Sequence, residues 1–561
     1  MALTLVILGP ALGPGYVLSY DMVFVPRLDL TRDTLGLGSA LPRAVPVDAI
    51  TAVLTSVIRG DILQKLVLVA VLSLAGYGAS RLLRDRPGPV QAVAATVYLW
   101  NPYVAERLVL GHWALLVAYA ALPWLAVAAG DLRAGRSGAL ARVIVLLAVS
   151  AITPTGGLLA VLLVVPIVAW PGLPSGLRAV AQVLGAAVVV NAPWWLPGVL
   201  HPGVGTTTSG VAEFAARGEN VLGPIGSLAG LGGVWNAQVV PDSRGTVLGV
   251  VATVLLLALA VLGARPLARS VDRGVLGGLC LAAGVGMAVA VAGVVPGVRD
   301  LLDAVVTHVP AAGVLRDGQK WIAPYALLLA PAVGLGVARL AERARDPALQ
   351  RLTGVAAVVV FLALLPDLGW GVAGRLAPVH YPGEWTTVRA LVNGEPGHGD
   401  VAVLPWGAFR AFPWNASRTV LDPAPRFLPG SAVASADLPV GGSVVRGDDP
   451  RAAAVRAALV GPDAATALTP LGVGWVLVEK GQTGEELPEP NGTVRYDGEQ
   501  LRLLQLARAD PRPLPSYAPL VVAVDLLVMA FIGAAGAVAT VRAKSRRRRL
   551  PAGRVSPPRE S

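Results

Sequence analysis

Of 561 residues, 54% are hydrophobic and only 14% are charged, with a mean hydropathy of +0.64. Soluble chains carry about 25% charged residues, so this composition excludes a disordered or collagen-like chain and reads as an α-helical polytopic membrane protein. The net charge of +11 does not describe a nucleic-acid binder and no nucleic-acid partner is expected, because Arg542 to Ser561 hold eight Arg/Lys against one Glu and supply +7 of it.

Apolar runs of spanning length lie near 1–18, 62–83, 90–105, 111–130, 179–199, 246–264, 275–297, 321–340, 352–372 and 517–541. The first run lacks the basic flank and cleavage site of a signal peptide and is read as a retained span. A further run, 142–170, is interrupted at Thr153-Pro154-Thr155-Gly156-Gly157 and reads as either one long helix or two short ones. Charge decides between them. If the run is a hairpin, Arg81/Arg84/Arg86, Arg133/Arg136/Arg142, Arg178, Arg265/Arg269/Arg273, Arg339/Arg343/Arg345/Arg351 and the tail all fall on one face, which the positive-inside rule makes cytoplasmic. The expectation is about 12 membrane segments in a plasma membrane, with both termini cytoplasmic.

This topology divides the chain into a membrane module over 1–374, with a first outer loop at 19–61, then an extracytoplasmic domain over 375–516, a terminal transmembrane helix over 517–541 and a basic cytoplasmic tail over 542–561. Within 375–516, alternating runs such as Asp400–Pro405 and Gly474–Glu479 predict strands, and Asp449–Val460 has helical spacing, so a small α/β or α+β domain is expected. It carries no G-x-S-x-G and no H-E-x-x-H. Eleven of the thirteen tryptophans fall at the outer boundary or in the outer domain. An interfacial belt would populate both faces, so stacking on sugar rings competes with that reading.

Four groups could carry chemistry. Asp21 directly follows the first apolar run, a depth at which a carboxylate is a functional candidate and could act as a general base. Asp29 and Asp33, four residues apart, suit a second acid, a metal contact or an acceptor contact; salt bridges to Arg27 and Arg32 are the plainer alternative. Glu106, Arg107, His112 and Trp113 emerge where Pro102 breaks a span and could line a polar pocket, or simply form a tight turn. Arg316, Lys320 and Lys65 lie on the outer edge against the charge rule; an anionic lipid phosphate would explain them, and an Arg316–Asp317 salt bridge is the bland alternative. Trp235, in a Gly-rich outer loop, is a candidate sugar contact.

Many spans, an acid at Tyr20-Asp21 after the first one, basic Arg316 and Lys320 at the outer mouth and a C-terminal outer domain together resemble the GT-C superfamily of integral membrane glycosyltransferases. The resemblance implies a polyprenyl-phosphate-sugar donor, a cell-envelope glycan or lipid acceptor, and inversion at the anomeric carbon. It implies Asp21 as the catalytic general base and Arg316 and Lys320 toward the lipid phosphate; Arg107 and Lys65 are further candidates for that phosphate from their place at the outer edge. Many members pair two acids at this place, whereas Met22 follows Asp21 here, which leaves metal dependence open. The Arg-rich, Lys-poor composition suits an actinobacterium. A lipid or polysaccharide flippase and a non-catalytic envelope assembly protein are the rival readings.

Overall fold

The computed structural model describes residues 1–171, 176–201, 210–309, 311–440, 443–447, 449–509 and 512–549. Among them, eight helices are long and apolar enough to cross a membrane: Gly60–Arg81, Trp113–Arg133, Gly176–Leu200, Val247–Ser270, Arg273–Ala292, Gly318–Ala341, Pro347–Leu364 and Ala518–Arg542. Side chains such as Val247, Val261 and Leu527 point outward from them, as an apolar surround requires. The Gly318–Ala341 helix is central and the last two are peripheral. Small residues let backbones meet: a Cβ on Gly263 would lie 1.8 Å from the Ala332 carbonyl oxygen, and one on Gly336 would lie 2.0 Å from that of Leu259.

The 142–170 stretch forms two helices, Ala139–Ser150 and Pro154–Ala169, with Thr153 capping the second through the Gly156 amide at 3.1 Å. The pair is a hairpin. Arg136 and Arg142 at its start reach Asp131, and Arg133 donates to the carbonyls of Trp170 and Pro171 at its end. Entry and exit therefore share the end of the bundle that holds the basic residues, where Arg86 also meets Ser270 and Arg133 meets Asp272.

The expected first span is corrected. Helix occupies only Ala2–Leu8, followed by a 3-10 turn over Gly9–Leu12. Gly9 adopts φ +41°, packed against Trp370, and Pro10 and Gly13 end the helical run. The chain then becomes a strand, Tyr16–Val17, pairing antiparallel with Pro378–Val379.

The 375–516 segment is built on a mixed five-stranded sheet in the order Thr493–Asp497, Leu501–Gln505, Val473–Glu479, Asp400–Leu404, Ala432–Val433, antiparallel for the first three and parallel for the rest. Val473–Glu479 is buried along nearly its whole length, as a central strand covered on both faces should be. An aromatic cluster of Tyr381, Trp385, Phe412, Trp414 and Phe427 joins this unit to the loop after Tyr16, and the Tyr381 hydroxyl donates to the Phe24 carbonyl at 3.0 Å.

Candidate functional site

Asp21 sits on a sharp corner. Tyr20 adopts φ +43°, which costs an L-residue about 1–2 kcal/mol, and the corner is held from two directions. On one side, the Tyr20 amide donates to the Thr419 carbonyl and its own carbonyl accepts from the Leu421 amide, both at 2.8 Å. On the other, the Ser19 hydroxyl donates to the Val109 carbonyl at 2.6 Å and the Asp21 amide to that of Leu110 at 3.1 Å. Gly111 makes the second approach feasible: its φ is +76°, and a Cβ there would lie 2.1 Å from the Met22 nitrogen. Local sequence thus seats the Asp21 corner on the turn that carries His112.

That turn ends the short helix Pro102–Val109, started by Asn101, whose side chain accepts from the Val104 amide, with Pro102 at the first helical position. Arg107 on this helix is fully buried. It forks onto Asp317 at 2.6 and 2.8 Å, donates to the Gln319 side-chain oxygen, and reaches His112 Nδ1 at 2.9 Å. His112 Nε2 in turn lies 3.1 Å from Asp21 Oδ2. Lys320 Nζ stands 3.4 Å from Asp317, and Gln319 passes the network on to Glu106 at 2.9 Å.

Charge follows this geometry. Burial pushes the Asp21 carboxyl up, but the His112 hydrogen bond and the cations of Lys320 and Arg426 outweigh it and hold its pKa below the ordinary carboxylate value. Burial, with Lys320 and Arg107, holds His112 below the usual imidazole value, against the pull of Asp21. Asp317, for all its burial, is kept well below the carboxylate range by Arg107 and Lys320. Glu106 behaves oppositely: burial and the neighbouring Glu219 carboxylate raise it well above its ordinary value.

Asp21, half exposed, faces a cavity of about 1400 Å³. His112, Trp113, Trp194, Trp195, Trp235, Arg316 and Lys320 line it on the membrane side, and Phe409 and Arg426 line it from the α/β unit. Trp113 packs on Phe24 at 5.2 Å, Trp235 on Phe214 at 4.9 Å, and the Arg316 guanidinium lies 5.5 Å over Phe214. The hairpin break at Thr153-Pro154-Thr155 also reaches the wall. The Asp21 carboxylate, the cations Arg316, Lys320 and Arg426, and four tryptophans therefore share one chamber.

Several sequence expectations change. Arg107 and Glu106 do not line the cavity; they are buried behind it, in the network that holds His112. Asp317 pairs with Arg107 and Lys320 rather than Arg316. Lys65 lies outside the chamber, donating to the Gly15 carbonyl, so a backbone oxygen accounts for its position. Asp29 keeps the expected pairing with Arg27 at 3.7 Å and also binds Arg389 at 2.6 Å, and Asp33 packs by Ser431 near Asp400, Arg451 and Arg512; neither is in the chamber lining, and both tie the first loop to the α/β unit. Among the described residues no three His, Cys, Asp or Glu side chains gather as metal ligands. Arg426 and Phe409 were missed, since nothing in their local sequence places them opposite Asp21; the Trp194-Trp195 pair at a helix end carried a visible signal.

With eight spanning-length helices and a chamber beside Asp21, the described residues have the fold of a polytopic membrane protein. Its likeness is to the cryo-EM structure of the arabinofuranosyltransferase AftD from Mycobacteria, with a TM-score of 0.54 and 17% identity over 91% of this chain and 40% of that one. A mutant form of AftD matches with a TM-score of 0.54 and 16% identity, over 91% and 41%. The chain thus spans about 40% of AftD's length. No family model and no curated protein matches the sequence.

Proposed function

We propose that the chain is an inverting membrane glycosyltransferase that moves a sugar from a polyprenyl-phosphate donor to a cell-envelope glycan or lipid, with the chamber and the 375–516 unit on the extracytoplasmic side and both termini in the cytoplasm. The observation that carries this reading is the shared chamber: an ionised Asp21, the cations Arg316 and Lys320, and Trp113, Trp194, Trp195 and Trp235 face one space. The basic clusters at the opposite end of the Trp113–Arg133 helix support the orientation.

In this reading the acceptor hydroxyl oxygen attacks the anomeric carbon and its proton passes to Asp21. The bond from that carbon to the phosphate oxygen breaks, and the phosphate leaves with the electron pair. Arg316 and Lys320 stabilise the charge that develops on it, where the apolar surround strengthens their field. The tryptophan faces suit the apolar faces of sugar rings. The test is transfer of label from polyprenyl-phosphate sugars to envelope acceptors in membranes containing the Asp21→Asn variant. A loss of about 100-fold or more is expected, and full retention would sink the reading.

A further inference from the structure

The fully buried Arg107 spends one donor on a histidine, and this decides which group in the chamber can take a proton. We propose that Arg107 is a positioning residue that holds His112 as the neutral Nε2–H tautomer, leaving Asp21 the sole proton acceptor of the pair. The inference rests on the reading of Asp21 as general base.

A guanidinium donates five hydrogens and accepts none. Arg107 Nη1 approaches His112 Nδ1 at 2.9 Å, so Nδ1 must carry the lone pair, and the ring's one hydrogen sits on Nε2, directed at Asp21 Oδ2 at 3.1 Å. The guanidinium cannot swing aside: Asp317 grips both of its terminal nitrogens, and Gln319 accepts from one of them. The Gln319 amide is fixed by the same logic, with its oxygen to Arg107 and its nitrogen to Glu106 at 2.9 Å. A second proton on the imidazole would have to enter at Nδ1, against a cation. The ionisable groups around the ring are Asp21, Arg107, Asp317 and Lys320, and the two cations oppose its protonation. His112 therefore tethers one oxygen of Asp21 and orients the other without shuttling a proton itself.

The chain has five histidines, so nitrogen-15 histidine NMR of the full-length protein in lipid nanodiscs is tractable, with the His112 signal assigned by its loss in His112→Gln. The parent should show a neutral Nε2–H ring at pH 7 whose titration midpoint lies below the ordinary imidazole value of about 6.5. A parent signal that is Nδ1–H or imidazolium at pH 7 overturns the proposal without any further variant. The double variant Arg107→Met/Asp317→Leu removes both buried charges together, which avoids stranding either one. With the Nδ1 donor gone, Nδ1 should carry hydrogen in a measurable fraction of rings at pH 7, as Nδ1–H or imidazolium; a ring that stays wholly Nε2–H also overturns the proposal. Neither measurement uses a sugar donor, so failure here and failure of the Asp21→Asn transfer test are separate results.

Discussion

Two buried arginines invite comparison. Arg107 in the membrane half and Arg410 in the α/β unit are both fully buried, and each grips carboxylates: Arg107 holds Asp317, and Arg410 holds Asp422 at 2.9 Å and Glu479. Their remaining bonds differ. Arg410 donates to the carbonyls of Pro405, Gly407 and Phe409, all within the fold of its own unit. Arg107 instead donates to His112, whose other nitrogen meets a carboxylate in the chamber. Burial and ion pairing alone do not mark a functional group; what the last donor touches does.

Arg410→Met tests the structural half of this contrast and has the largest expected effect. It strands Asp422 and Glu479 as buried carboxylates, which costs about 3–5 kcal/mol, and thermal unfolding of the purified protein should show it as a large drop in melting temperature. Below that in size is the pH response of Asp21. Its folded pKa is depressed, so its ionised form, and the stability that form contributes, is fully present above the unfolded value of about 3.9 and is lost only as pH falls through the lower folded value. The acid limb of the transfer rate should therefore lie below about pH 4; a limb near pH 6 would assign the titrating group to His112 and break the contrast with Arg410. The smallest effect is expected of Trp235→Ala, which removes one aromatic wall at about 1 kcal/mol. Donor or acceptor KM should rise severalfold with kcat little changed.

The apolar helices could be read because runs of about 20 hydrophobic residues have few other solutions, and Asp21, His112 and Lys320 stood out as polar groups beside such runs. The clamp between Arg107 and Asp317 could not be read, because 210 residues separate the partners and only the tertiary fold brings them together. Lys65 was misleading for a related reason. The charge rule sees a cation in a disfavoured place but not the Gly15 carbonyl that receives it. Hydropathy likewise read 1–18 as one span, blind to the Gly9 corner packed on Trp370.

The strand pair that joins Tyr16–Val17 to Pro378–Val379, with the Tyr20 corner fastened between Thr419 and Leu421, sets an order of assembly. Asp21 is made before the backbone that holds it, which follows some four hundred residues later in the chain. Until then the nascent protein has seven of the eight spanning-length helices described and its carboxylate but no finished chamber. Maturation of the site is thus tied to completion of the α/β unit, since a half-made chain carries Asp21 without the walls that Phe409 and Arg426 supply.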